Sequence, residues 1–358
     1  MRSASSVQFE TGLGHADSVL MERVRSALDH WDLVGRGATS SLTGGGALAA
    51  VENAVSERVD GRRTLTVSSG TAALRVALQS VGVVAGSEVI CPAYDWPATA
   101  GAIASLGARP TFAPVDPRTL TLDPGSCLQL VTSSTAAIVA THLFGVPADV
   151  PAIRTLVDHL SIPVVEDCAQ AFGASIDGVP AGALGTVAAF SFGPGKLIDA
   201  MEGGAVAFAL QKDFAQGVVA SQHPLRHLTA GLNPALDGQL HHRMHPIAAM
   251  VALSAMDTMD ERLSDAARKA GAIHQAMSPY RDWTPIGIDD RRRPSWWQVP
   301  FLGPGPRSPA APVSFVSASA RWAPNGDPDR TRGAEVAGPA TPGHASAFVA
   351  SLSGMPES

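Results

Sequence analysis

Through its middle the chain alternates short β-branched or apolar runs with stretches of helical spacing, and this alternation constrains the fold more than any other feature. Thr64 to Ser68 (TLTVS) reads as a strand. Gly70 to Val81 follows, with Leu74, Ala77, Leu78 and Val81 on one helical face. Glu88 to Cys91 (EVIC) is a second strand, and PATAGAIASLG after it is helix-like. Thr111 to Val115 follows Pro110 as a strand. The unbroken apolar run Ala137 to Thr141 reads as a buried strand, and Val150 to Leu160 as an amphipathic helix. Pro163 to Asp167 (PVVED) is a strand ending in acids, and Val187 to Phe192 and Ala205 to Leu210 are further strands. Such a pattern implies an α/β fold, a mostly parallel sheet with helices on both faces. Ligands of such sheets bind beyond the carboxyl ends of the strands, so functional residues are sought there.

The 358 residues divide into an N-terminal segment (1–40), a large ligand-binding domain (41–245), a long helix opening a small domain (246–302), and an atypical tail (303–358). Met244 to Leu263 reads as one long Met- and Ala-rich helix whose methionines suit packing. The tail is dense in Pro, Gly, Ala and Ser and shows little periodicity, so it is read as disordered, leaving the small C-terminal domain incomplete.

A net charge of −6 without a basic patch argues against a nucleic-acid partner. No apolar run reaches the roughly 20 residues that span a bilayer, and Met1 to Gly14 does not read as a secretory signal. Cys91, Cys127 and Cys168 have neither metal-ligand nor disulfide-framework spacing. No metal is expected, and a soluble cytoplasmic protein is. Only Lys196, Lys212 and Lys269 among the 26 basic residues are lysines, so amine chemistry has three candidates.

Four features after strands carry chemical potential. Ser68-Ser69-Gly70-Thr71 opens a helix whose first N–H groups and positive dipole end suit a phosphate; an ordinary N-cap reads the same way. Asp167, ending PVVED, can hold the ring nitrogen of a pyridine cofactor protonated, or be a solvated strand-end acid; its neighbour Glu166 points to the other face. Ser191-Phe192-Gly193-Pro194-Gly195-Lys196 ends a strand in a Gly-Pro-Gly turn that presents a lysine. Desolvated near a phosphate, such a lysine can form a Schiff base; in water it is a turn lysine. Leu197 after the lysine breaks the phosphate-loop pattern of nucleotide hydrolases. Trp96, in Tyr94-Asp95-Trp96, can stack on a flat cofactor or be a rim tryptophan. None decides alone; together they supply a phosphate cradle, a ring stack, a pyridinium partner and an amine.

From about Leu42 to Leu263 the chain resembles the DegT/StrS-type sugar aminotransferases, which are fold-type I enzymes dependent on pyridoxal 5'-phosphate (PLP). The resemblance lies in SLTGGGALAAVENAV, VSSGTAALRVAL, EVICPAYDWPATAGAIASLGARPTFAPVDPRTLTLDP, THLFGVPADV, VVEDCAQAFGA, GTVAAFSFGPGK and EGGAVAF. It implies that Lys196 bonds the cofactor and shuttles a proton, and that Asp167 pairs with the pyridine nitrogen. It further implies that Gln170 lies near the ring oxygen, that Gly70, Thr71 and Ser191 hold the phosphate, and that Trp96 stacks on the ring. Glu202-Gly203-Gly204 matches a Gly-rich turn after the lysine. A homodimer is implied, as are a keto sugar bound to a nucleotide or a keto cyclitol as amino acceptor, glutamate or glutamine as donor, and a place in antibiotic or surface-sugar biosynthesis. Sugar dehydratases that resemble this family carry histidine at the lysine position, so Lys196 favours transamination.

Three departures stand out. The family's Asn-Tyr-Arg-Met segment, whose Asn reaches the partner's phosphate, reads His241-His242-Arg243-Met244 here, with His241 in place of the Asn and able to serve the same contact. Leu197 stands where the family has an Asn. Beyond Phe301 the sequence does not resemble the family's small domain; a frameshift would produce such a tail, and the wall which that domain lends to the site would then be missing. The alternatives on the same residues are another PLP outcome (a sugar dehydratase or an aminobenzoate-type synthase) and a weakly active partner subunit.

Overall fold

The computed structural model describes residues 20–29, 42–233, 240–287 and 289–303, and the backbone of two later strands, 315–318 and 346–350. Seven strands form the central sheet: β1 (Arg63–Val67), β2 (Glu88–Pro92), β3 (Arg109–Ala113), β4 (Thr135–Thr141), β5 (Val164–Asp167), β6 (Val187–Ser191) and β7 (Gly204–Phe208). Their spatial order is β1-β7-β6-β5-β4-β2-β3. The pairs β6–β5, β5–β4, β4–β2 and β2–β3 are parallel, and β7 runs antiparallel to both β1 and β6. The helices are α1 (20–29), α2 (Ala47–Arg58), α3 (Gly70–Ser80), α4 (Pro97–Ser105), α5 (Pro124–Gln129), α6 (Val150–Val157), α7 (Gln211–Ser221), α8 (Pro224–Thr229), α9 (Pro246–Met256) and α10 (Met259–Met277).

Because successive strand residues face opposite sides, each central strand feeds two cores. Val89, Cys91, Ala137, Val139, Val165, Val187 and Ala189 pack with α3 and α4 on one face. Ile90, Ile138, Ala140 and Val164 pack with α6 on the other, where Ala188 and Phe190 meet α2 and α9. Both faces are thus covered by helices, which is why these strands read as unbroken apolar runs rather than alternating ones.

Several boundaries differ from the sequence reading. The strand placed at Thr111 to Val115 is Arg109–Ala113, with Pro110 inside it. It is an edge strand, where a residue without an N–H is tolerated. Val115 instead opens a small hairpin with Thr121–Leu122. The helix read to Leu160 stops at Val157 and tightens into a 3₁₀ turn, Asp158–Leu160, closed by Ser161 at φ +57°. The single helix read over Met244 to Leu263 is two, α9 and α10, and the second runs on to Met277. Pro246 delays the start to the first position where a missing N–H costs nothing. Asp257 and Thr258 interrupt the middle, where the Thr258 hydroxyl donates to the Ala255 carbonyl at 3.4 Å and competes with the helix ladder.

A second, antiparallel sheet has the order Thr284–Pro285, Val299–Gly303, Ser346–Ala350, Phe315–Ala318. The disorder read for the tail falls mostly on residues outside those described, as does the segment 1–19. Among the described residues no helix is long and apolar enough to cross a membrane.

Candidate active site

The sheet edge formed by the carboxyl ends of β1, β2, β4, β5 and β6 gathers the predicted residues. At one end of it, Val67 pairs with Gly204, and Gly204 pairs with Ser191. Gly204 has no room for a side chain: a Cβ there would lie 2.5 Å from the Phe190 carbonyl oxygen and 2.8 Å from that of Ser69. With β7 lacking a side chain at this point, the start of α3 comes directly against Ser191. A Cβ on Gly70 would meet the Ser191 Cβ at 2.6 Å and its Oγ at 2.8 Å. Ser69 caps α3, its hydroxyl accepting from the Ala72 N–H at 3.1 Å. The first N–H groups of the helix, at Gly70 and Thr71, have no intrahelical acceptor. Gly70 and Ser191 are therefore in contact at the positive end of a helix, beside Thr71, where N–H and O–H groups are of the kind that can bind a phosphate.

Lys196 follows Ser191 through a turn that Gly195 closes at φ +75°, with the Gly195 N–H donating to Asp199 Oδ2 at 2.8 Å. Burial pushes the Lys196 amine down from its ordinary value, and the Asp167 charge pulls partly back. Asp167 ends β5 and is buried. Its Oδ1 accepts from the Ala169 N–H at 2.9 Å, and the Thr99 hydroxyl lies 3.4 Å from Oδ2. Burial raises the Asp167 carboxyl, against the opposing pull of the Ala169 N–H and the Lys196 charge. An amine and a carboxyl thus share a half-dry cleft in which each biases the other's proton.

Gln170 is buried near the same strand end, and its Oε1 accepts from the Phe144 N–H at 2.6 Å. This bond holds the turn after β4, where Phe144 takes φ +61°. Trp96 stands at the start of α4 with about half its surface exposed, at 52%. His241 is exposed, its ring 5.7 Å from that of His223, while the neighbouring His242 carbonyl accepts from the Ser68 N–H at 2.8 Å. The His241–Met244 segment is therefore tied to the loop that opens the cradle. Met244 covers Gly203, which has φ +143° and whose Cβ would meet the methionine Cε at 2.6 Å. Residues 234–239, after α8, lie outside those described.

Sequence reasoning missed three groups. Asp95 accepts from the Thr141 hydroxyl at 2.6 Å and from the Trp96 N–H at 2.7 Å, close beside Asp167. Trp297 sets its ring 4.3 Å from Lys196 Nζ, and its indole N–H donates to the Gly195 carbonyl at 2.8 Å. The small-domain segment reaches this point because Ser295 and Gln298 donate to the carbonyls of Gly145 and Phe144. Trp297, which precedes Phe301, thus stands against the lysine. The third group is His142 with Glu166, a buried pair at 3.0 Å on the far side of β5. The chain could not have revealed it without the register.

His142, Glu166 and Cys168 also have the ligand types of a metal site and lie close together. The lone pairs of Glu166 and His142 are already used: Glu166 accepts from Gly182, Leu184 and Gly185 N–H groups and from His142 Nε2, and His142 Nδ1 accepts from Ala148 N–H. Burial raises the Cys168 thiol well above its ordinary value, away from the thiolate a metal needs. The group reads as structural.

Residues 35–311 match the model of the DegT/DnrJ/EryC1/StrS aminotransferase family. An L-glutamine:2-deoxy-scyllo-inosose aminotransferase of Streptomyces lividus is 46% identical over 151 residues, 42% of this chain and 35% of the relative. A UDP-2-acetamido-2-deoxy-3-oxo-D-glucuronate aminotransferase of Pseudomonas aeruginosa is 34% identical over 192 residues, 52% of this chain and 54% of the relative. The chain thus spans about a third to a half of the length of these curated relatives. Among solved structures, S. venezuelae DesV in complex with a ketimine intermediate superposes with a TM-score of 0.70 at 26% identity, covering 82% of this chain and 76% of that one. A 3-amino-5-hydroxybenzoic acid synthase gives 0.69 at 25% identity, covering 85% and 76%. With its cradle, acid and lysine on the edge of a mostly parallel sheet of the PLP-dependent aminotransferase fold, the chain belongs to the DegT/DnrJ/EryC1/StrS aminotransferase family.

Proposed function

We propose that this chain is a PLP-dependent aminotransferase that moves an amino group from glutamine or glutamate to a keto cyclitol or a nucleotide-linked keto sugar. The observation that carries the reading is Lys196, a partly buried amine held below its ordinary proton affinity within the field of the buried Asp167. The residues present fit the cofactor: the Gly70–Ser191 contact makes a cradle that any larger residue at 70 would fill, and Asp167 is an acid with spare acceptor capacity at the right strand end.

When bound, PLP supplies a carbonyl for the amine and a ring that withdraws electrons from the substrate carbon. Gly70, Thr71 and Ser191 would hold its phosphate. Asp167 would keep the proton on the pyridine nitrogen. Trp96 would stack on the ring, and Gln170, which holds the Phe144 turn, would lie near its oxygen. Lys196, its amine depressed by burial, would anchor the cofactor and carry the proton at its Nζ to and from the substrate carbon. His241 serves the phosphate of a partner subunit in a homodimer, and the protein works in the cytoplasm.

Glutamine as donor and a keto cyclitol as acceptor have the support of the S. lividus relative's name, and a nucleotide-linked keto sugar that of the P. aeruginosa relative. Antibiotic or surface-sugar biosynthesis is the setting consistent with both. The 3-amino-5-hydroxybenzoic acid synthase likeness supports a second reading, a PLP enzyme of another outcome. Product analysis with and without amino donor separates the two.

The test is reductive trapping. Borohydride treatment of the PLP-loaded protein followed by peptide mapping should label Lys196, and Lys196→Ala should lose both label and turnover. A label on Lys212 or Lys269, or full turnover without Lys196, refutes the reading.

A further inference from the structure

Asp95 is a second acid within reach of the first. It follows β2, and Asp167 ends β5 two strands away, yet the two meet because the first turn of α4 leans between them. Thr99, on that turn, is buried at 1% exposure, and its hydroxyl donates to Asp167 Oδ2 at 3.4 Å while helping to hold the Asp95 charge. Asp95 is fixed on its other sides by the Thr141 hydroxyl at 2.6 Å and the Trp96 N–H at 2.7 Å. Among the described residues a cation balances only Asp167, in whose field Lys196 lies. The other titratable groups around the pair are Cys91, whose thiol burial and Asp95 push up, and His142 on the Asp167 side.

We propose that Asp95 is a positioning residue for Asp167: bridged by Thr99, the two carboxyls share one proton in the cofactor-free cleft, and that proton is expelled when PLP, whose ring nitrogen already carries a proton near neutral pH, is taken up. Atoms and charge balance: one carboxyl O–H bond breaks, its proton goes to water, and the two carboxylates are left facing one pyridinium and Lys196. The inference rests on the reading of the cleft as a PLP site. Burial, then the Asp167 charge, push the Asp95 carboxyl up to about 7. The part of its surface that still faces the cleft makes this an upper bound, because solvent screens both effects. Two unprotonated carboxylates this close in a cleft of low polarity are disfavoured, as in any acid pair that shares a proton.

The test uses the full-length protein with Asp95→Asn and, as a second variant, Thr99→Val, which keeps both acids and removes the bridge. Free PLP is titrated spectrally into cofactor-free protein from pH 5.5 to 8.5. In the parent, uptake expels the shared proton, so affinity should rise by up to about tenfold per pH unit toward pH 7 and level off above it. In Asp95→Asn there is no shared proton to expel, so that rise should be flattened. Thr99→Val should lie between them.

Melting of the cofactor-free protein is the independent readout. A carboxyl whose folded value lies above its ordinary 3.8 binds its proton more tightly in the folded state. Its contribution to stability therefore falls as pH rises from about 4 to about 7. The parent should lose about 2 °C or more relative to Asp95→Asn over that window. Superimposable pH profiles for parent and Asp95→Asn, in uptake and in melting, overturn the proposal. If no PLP binds at Lys196, the reading of the site fails, and the melting comparison alone then decides whether the acids share a proton.

Discussion

Glu166→Gln tests how the chain holds β5 in register, and its cost can be worked from four hydrogen bonds. Glu166 Oε1 accepts from the Leu184 and Gly185 N–H groups at 2.9 and 2.6 Å. Oε2 accepts from the Gly182 N–H at 2.8 Å and from His142 Nε2 at 3.0 Å. Glutamine keeps one acceptor oxygen, which serves Leu184 and Gly185. Its amide nitrogen then faces two donors. His142 cannot relieve this by changing tautomer, because its Nδ1 already accepts from the Ala148 N–H at 2.9 Å; a swap only moves the orphan. Two buried donors without acceptors cost about 1–3 kcal/mol each, so the variant should lose roughly 2–6 kcal/mol. Urea unfolding of the cofactor-free protein measures it, as a fall in midpoint at unchanged slope.

The acid limb adds a second check on the same residue. Burial alone would raise the Glu166 carboxyl, but the His142 and backbone donors outweigh it and hold the group below its ordinary 4.5. A depressed carboxyl contributes stability that is present above about 4.5 and lost as pH falls through the folded value. The parent should therefore destabilise more steeply than Glu166→Gln below that pH. A loss under about 1 kcal/mol, smaller than one orphaned donor costs, together with parallel acid limbs, would refute the argument.

Two further outcomes follow from contacts at the lysine and the cradle. Gly70→Ala drives a methyl into the Ser191 side chain, 2.6 Å from its Cβ; overpacking of this kind costs about 1–3 kcal/mol. PLP should be lost faster on dialysis, and adding Ser191→Gly should restore part of the melting temperature if the clash is the cause. Trp297→Ala removes a ring 4.3 Å from Lys196 Nζ that favours the ammonium form by roughly 0.5–2 kcal/mol. The Lys196 amine should then become reactive toward an acylating reagent at lower pH in cofactor-free protein, whereas an unchanged or higher pH would deny the contact any role.

The strands were legible because burial on both faces writes them as unbroken apolar runs, and their carboxyl ends mark the functional edge. Each of Gly70, Ser191, Asp167 and Lys196 could therefore be placed from local pattern and strand direction. What stayed hidden depends on elements far apart in sequence. Gln170 was expected at the site only through the resemblance, and its bond to Phe144 needs the turn after β4, where a non-glycine residue sits at φ +61°. Trp297 reaches Lys196 only because the segment 295–298 lies on the carbonyls of Phe144 and Gly145. The one available signal for Asp95 was an acid beside Trp96 at a strand end, and nothing local ties it to an acid 72 positions later.

The adjacent acids Glu166 and Asp167 show how a strand separates structure from chemistry. They share one backbone environment and are both buried, and the alternation of strand side chains sends them to opposite faces. Glu166 meets three backbone N–H groups and an imidazole, which fill the roughly four acceptor positions of a carboxylate. Asp167 meets one N–H at 2.9 Å and a hydroxyl at 3.4 Å, so about half its capacity is open toward the cleft. A buried carboxylate left so short of donors is costly unless something else arrives to donate. A pyridinium N–H is such a donor. The fold leaves Asp167 underbonded at the strand end where that ring is proposed to sit, and has fully satisfied the acid one residue earlier.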